Sequence, residues 1–117
     1  MEAVAKAKYV RMSARKASRV IDLVRGKNVD EAINILHFSG KRAARPIEKT
    51  IRSAVANAVE KSESGKLNAD RLFVKEAKVD GGPILRRFRA ASMGRPMRIR
   101  KRTCHITVVV SEYKNEK

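Results

Sequence analysis

Residues 81–111 contain no Asp or Glu, yet between positions 86 and 102 they carry Arg86, Arg87, Arg89, Arg95, Arg98, Arg100, Lys101 and Arg102. Eight like charges within seventeen residues repel one another and cannot be buried together without counter-charges. Such a segment reaches a low-energy shape only against a dense external array of negative charge, which nucleic acid phosphates supply. The rest of the chain holds 20 Lys and Arg against 12 acidic residues, so half of the formal net charge of +16 sits in this one stretch. With a pI near 10.8, the balance points to nucleic acid and, more weakly, to an anionic membrane face.

A chain of 117 residues suits one domain, 1–117, and a hydrophobic content of 43% allows a core, although Trp is absent and only five residues are aromatic. The single cysteine, Cys104, permits no internal disulfide, which fits a reducing cytosol and a cytoplasmic location. The N-terminus lacks the apolar run of a signal peptide, and no apolar stretch approaches membrane-spanning length, so no membrane partner is expected. No internal repeat or Ser/Gly linker divides the chain.

The periodicities predict an α+β fold. Ala3, Ala5, Ala7 and Tyr9 alternate with Val4, Lys6, Lys8 and Val10, the two-residue period of an edge strand with one charged side. Ser13 is placed to cap a helix whose stripe is Ala17, Val20, Ile21 and Val24, with Gly26 as its stop. Asn28 and Glu31 have the spacing of a capping box for a short second helix with Val29, Ala32, Ile33 and Leu36 on one face, ending near Gly40. A third helix starts near Ala43, tolerates Pro46 in its first turn, and repeats Ile47, Ile51, Ala54, Val55 and Ala58 at helical spacing. Ala54 and Ala58 leave room for another element to approach. After a polar loop over 62–68, residues 72–79 read as a strand, and Cys104, Ile106, Val108 and Val110 form the buried side of its mate.

Between those strands lie 80–102, too many residues for a tight turn and too basic for a buried insert. A long hairpin arm at about 81–102 resolves the conflict, with sides 84–89 and 97–102, a tip at 92–96, and a bend at Gly81, Gly82 and Pro83. At about 3.3 Å per residue, each side reaches on the order of 30 Å beyond the body. The alternative is a basic loop without fixed structure, and disorder is the expectation for the arm free in solution. Arg dominates its cations, and the planar guanidinium fork grips phosphate bidentately or stacks on a base, which favours structured RNA. Ile84, Leu85, Phe88, Met97 and Ile99 are candidates to wedge against bases or sugars, or simply to pack across the arm.

A second cationic group, Lys6, Lys8, Arg11, Arg15, Lys16 and Arg19, falls on a strand end and a helix start, where backbone donors also favour phosphate. Each of these residues alone reads equally well as part of a solvated face. Enzyme readings find little support. His37 and His105 have no Cys, Asp or Glu at metal-ligand spacing, no Walker-type glycine loop occurs, and no Ser sits in a nucleophile elbow. Neither a catalytic residue nor a metal or other cofactor is expected, and Cys104 reads as core.

Several segments together carry a resemblance: Ser13-Ala14-Arg15-Lys16, Leu23-Val24-Arg25-Gly26-Lys27, Ser53-Ala54-Val55-Ala56-Asn57-Ala58, Asp80-Gly81-Gly82-Pro83 and Lys101-Arg102-Thr103-Cys104-His105-Ile106-Thr107-Val108. In this order and spacing the chain resembles the bacterial form of the large-subunit ribosomal protein twenty-two family over nearly its whole length. The pair Gly94-Arg95 followed by His105-Ile106 is the most specific element. The resemblance implies three helices packed on a small antiparallel sheet with a protruding basic hairpin. It also implies a body near the exit of the nascent-chain tunnel, early binding to several domains of large-subunit rRNA, and contacts with neighbouring ribosomal proteins.

By position, the same resemblance implies a tunnel wall of Leu85, Arg86, Arg87, Phe88, Arg89, Ala90, Ala91, Ser92, Met93, Gly94 and Arg95, facing nascent polypeptide and, nearby, macrolide antibiotics. The tip departs from the family's usual pattern, with Ala91 and Met93 where charges are common. No homo-oligomer is expected. The rival from another class is a histone-like architectural DNA binder, whose basic arms carry a wedging proline in the place that Pro96 offers here.

Overall fold

A computed structural model describes residues 2–61, 71–83, 85–90 and 96–112, with the backbone alone for 85–90 and 96–101. Its elements run β1 (Glu2–Val10), α1 (Ala14–Ile21), α2 (Val29–His37), α3 (Ala44–Lys61), β2 (Leu72–Gly81), β3 (Leu85–Ala90), β4 (Pro96–Lys101) and β5 (Cys104–Glu112). Three strands form an antiparallel sheet in the order β1-β5-β2, while β3 and β4 form a separate two-stranded sheet. The fold is the α+β arrangement that the periodicities predict. With principal extents of 71 × 25 × 18 Å, the molecule is elongated.

The alternation in β5 puts Cys104, Ile106, Val108 and Val110 fully inside, against Ala3 and Ala5 of β1 and Leu72, Val74 and Ala77 of β2. Across this layer α3 contributes Ile47, Ile51, Ala54 and Ala58, each 0 or 1% exposed. The alanines on both sides explain how a helix sits tightly on an edge strand. Asn57 of α3 donates to the carbonyl of Val4 at 3.0 Å, and Lys61 donates to that of Glu2 at 3.0 Å. Helix side chains therefore occupy carbonyls along the open side of β1 that would otherwise invite another strand. Glu2 is also paired with Lys75 of β2, whose ammonium holds the Glu2 carboxyl below the usual carboxylate range by hydrogen bond and charge.

Three local details differ from the sequence expectation. The alternation of β1 breaks between Ala7 and Val10, where the register with β5 shifts and Tyr9 takes φ 58°. Tyr9 is consequently 64% exposed, and Val10 turns toward the core instead. The distant cause is His105, whose Nδ1 accepts the Tyr9 backbone N–H at 3.1 Å while the two rings meet edge to face at 5.0 Å. Helix α1 ends at Ile21, so Val24 is buried from a turn and not from the helical stripe.

Asn28 does cap α2, but its side chain accepts from the N–H of Asp30 at 2.9 Å, while Glu31 lies 3.8 Å from the Lys27 ammonium. The nearby Gly26 has φ 81°, a region costly to residues with a Cβ, and this lets its N–H reach the carbonyl of Val74 while Val74 N–H reaches Lys27. Arg25 completes this stitch by donating from Nε and a terminal nitrogen to the carbonyl of Ala77 and from the other to Asp22.

The strands β2 and β5 lead into the arm. Pairs Asp80↔His105 and Gly81↔Cys104 are followed by a Gly82 N–H to Thr103 carbonyl bond of 3.0 Å, and the arm itself begins at Leu85↔Lys101. Between the last pair of one sheet and the first of the other, positions 82–84 lie on the first side and 102–103 on the second. Gly82 is required here sterically, because a Cβ would sit 2.6 Å from Thr103 Oγ1. That hydroxyl, in a residue only 6% exposed, donates to the carbonyl of Pro83 at 2.5 Å. The arm's strands are Leu85–Ala90 and Pro96–Lys101, one residue later and one earlier than the expected sides 84–89 and 97–102. Ile84 and most of the expected tip, 92–95, lie outside the described residues.

Candidate nucleic-acid interface

Helix α1 buries Ala17, Val20 and Ile21, and the same periodicity turns Arg15, Lys16 and Arg19 outward. The turn after β1, closed by a Met12 N–H to Val10 carbonyl bond of 2.9 Å, brings Arg11 and Met12 beside the start of that helix. From the other side the loop between α2 and α3 supplies Arg42, and the foot of the arm supplies Arg102. Together with Ser13 these residues line an open depression of about 650 Å³. All six cations are exposed, and among the described residues none has a carboxylate partner.

Six positive charges around one depression reinforce one another wherever they come within about the 8 Å screening length of physiological salt. Helix α1 adds to the field. Its N-cap residue Ser13 makes no side-chain capping bond and its first turn carries no acidic residue, so its partial positive end is left for an outside acceptor. The arrangement matches an oxyanion-rich polymer, since Arg forks and free amides both favour phosphate oxygens.

The structure divides the N-terminal group that the sequence singles out. Arg11, Arg15, Lys16 and Arg19 converge on the depression, whereas Lys6 and Lys8 point from the exposed side of β1 and do not line it. Arg102 joins the first four, which links the body's cationic group to the arm. Arg86, Arg87, Arg89, Arg98, Arg100 and Lys101 fall on β3 and β4, and the register sets Arg86 opposite Arg100. Like charges directly opposed across a strand pair destabilise it, so the arm's pairing gains from an external anion. Arg95 lies outside the described residues, as do Ala91, Ser92, Met93 and Gly94.

Arg42 escapes a sequence reading because it sits in a loop with no periodicity; only the packing of α2 against α3 carries it to α1. The other conspicuous side chains have structural roles. Cys104 is fully buried and burial pushes its thiol up, which makes it unreactive. His105 accepts from the Tyr9 backbone, and His37 lies 3.4 Å from Glu48 on the surface. Among the described residues no group of His, Cys, Asp and Glu is arranged to hold a metal ion. None of their helices is long and apolar enough to cross a membrane.

A family model described as ribosomal protein L22p/L17e matches residues 5–111. The chain is similar to proteins named large ribosomal subunit protein uL22. That of Syntrophotalea carbinolica is 53% identical, with 96% of this chain and 99% of the relative covered. That of Myxococcus xanthus is 50% identical, with 97% and 99% covered, and that of Clostridium perfringens is 54% identical, with 96% and 98% covered. A match of this extent, on a fold that brings six exposed cations together around the start of α1, leaves a single assignment: the chain belongs to the ribosomal protein L22p/L17e family.

Proposed function

We propose that this chain is a structural constituent of the large ribosomal subunit that binds large-subunit rRNA through the depression at α1 and through the β3–β4 arm. The observation that carries the reading is the set of six exposed cations that have no carboxylate partner among the described residues, joined through Arg102 to an arm that lacks any acidic residue. The name shared by its relatives supplies the particle, and membership of the family makes the chain a structural protein and not an enzyme. In this reading the rRNA contacts are Lys6, Lys8, Arg11, Arg15, Lys16, Arg19 and the eight arm cations, with Arg42 added by the structure.

The finer part of the proposal is that binding supports subunit assembly and that the hairpin runs along the wall of the nascent-polypeptide exit tunnel, with the body near the tunnel exit. Residues 85–95 then face the nascent chain and lie near any bound macrolide, and the body touches neighbouring ribosomal proteins. What supports this is the arm's reach, the clamp of Gly82, Thr103 and Pro83 at its foot, and the family resemblance of the segments that flank it.

A salt titration tests the core of the proposal. If the arm and the body's cations neutralise about six to ten phosphates, log K for a folded large-subunit rRNA fragment falls against log salt with a slope of roughly −4 to −9. Binding isotherms of the full-length chain across a salt series measure it, and a slope near zero contradicts electrostatic docking. The same titration with duplex DNA of equal length separates the histone-like rival, because equal affinity for both polymers at one salt concentration counts against the ribosomal reading.

A further inference from the structure

The cationic depression is half of a larger site. A second depression of about 500 Å³ adjoins it and shares Arg11, Met12, Ser13, Lys16, Arg19 and Arg42 with it. The second half adds Val20, Leu23, Lys41 and Ala43. Val20 and Ala43 are buried, whereas Leu23 is 51% exposed and Met12 half-buried, so apolar side chains of both kinds border a hollow that is ringed by charge. A half-exposed leucine alone is ordinary. Here it borders a concave surface continuous with a phosphate-binding one, and a site of that size accommodates one nucleobase.

We infer that this two-part site holds a single unpaired nucleotide extruded from folded RNA, its phosphate against the Arg15, Arg42 and Arg102 side and its base against Met12 and Leu23. The inference rests on the RNA-binding reading above and deepens it. A stacked base in an uninterrupted helix cannot enter a hollow in the protein, whereas a base in a bulge or loop is already splayed out and presents an apolar face. Charge decides between this occupant and an apolar acidic peptide. The rim carries five arginines, whose forks fit phosphate bidentately, together with the uncapped start of α1, and among the described residues that line the site there is no carboxylate to register a peptide backbone.

Three RNA hairpins test the inference with the full-length chain at one salt concentration: one with a single bulged uridine, one with an abasic bulge at the same place, and one fully paired. The arm contributes equally to all three, because their phosphates are nearly the same in number. The bulged uridine is expected to bind about tenfold more tightly than the abasic bulge, the order of gain when one base covers the apolar surface of Met12 and Leu23. Leu23→Ser, at a half-exposed position that leaves the core intact, is expected to erase that difference while the salt slope stays unchanged.

Equal affinity of the uridine and abasic bulges for the wild-type chain, with binding still salt-dependent, overturns the inference and leaves the RNA-binding reading standing. Absence of salt-dependent binding to all three overturns both. An apolar acidic peptide that competes better than the bulged hairpin, and loses its affinity in Leu23→Ser, also overturns the inference.

Discussion

Replacing Arg98, Arg100 and Arg102 together by Ala is expected to weaken binding to large-subunit rRNA by several kcal/mol and to exclude the chain from large subunits in competition with wild type. Each direct contact from such a side chain to a phosphate or base is worth about 1 to 3 kcal/mol, and the three together remove the densest part of the arm. The salt slope should become shallower by roughly 2 to 3, since three phosphate contacts are lost. The body should stay folded. Arg102 is exposed, and Arg98 and Arg100 belong to the separate β3–β4 sheet, whereas the core is built on β5, β2, β1 and α3. Incorporation is read by mixing tagged variant and wild type in cells and weighing their ratio in purified subunits. Incorporation equal to wild type would refute the arm's role.

Ile51→Ala should act on the other half of the molecule, costing about 2 to 5 kcal/mol of folding stability. Ile51 is 0% exposed in the middle of α3, flanked by Ile47 and Ala54, and the helix packs against both β1 and β5. Removing its branched side chain leaves a cavity that the rigid sheet below cannot close. A domain of this size has about 5 to 15 kcal/mol in total, so the loss is a large share of it. There is no disulfide to offset it, because Cys104 is free. Urea denaturation should show a lower midpoint at unchanged m value, and a loss below about 1 kcal/mol would mean that α3 is not the core's spine. The conservative change Ile51→Val should cost only about 0.5 to 1.5 kcal/mol.

The elements with a repeating apolar period were legible in the sequence. In α3 the spacing of Ile47, Ile51, Ala54 and Ala58 is itself the buried face, and in β5 the alternation from Cys104 to Val110 is the sheet's inner side. What the sequence concealed depends on partners far along the chain. The break in β1 at Tyr9 follows from a hydrogen bond to His105, and Val24 is buried because Gly26 and Lys27 pair with β2 and not because α1 extends that far. Gly82 looked like one of two bending glycines, yet its need is steric and comes from Thr103.

The same contrast holds for the site. Arg11, Arg15, Lys16 and Arg19 could be listed from their closeness in sequence, and the arm from its charge alone. Arg42 could not, since nothing local distinguishes it from Lys41 or Arg45 until the loop between α2 and α3 is placed beside α1. Lys6 and Lys8 were grouped with the others by proximity along the chain, but the strand's pleat sends them to the open side of the sheet. In the proposed complex RNA therefore also covers that side of the sheet.

A map of large subunits carrying this chain, at a resolution that shows side chains, tests the whole account most directly. Residues 85–101 should lie enclosed by rRNA, with phosphate oxygens about 2.7 to 2.9 Å from guanidinium nitrogens of the arm. An arm standing free in solvent, its arginines far from any phosphate, would contradict the claim that polyanionic RNA gives this cationic segment its shape.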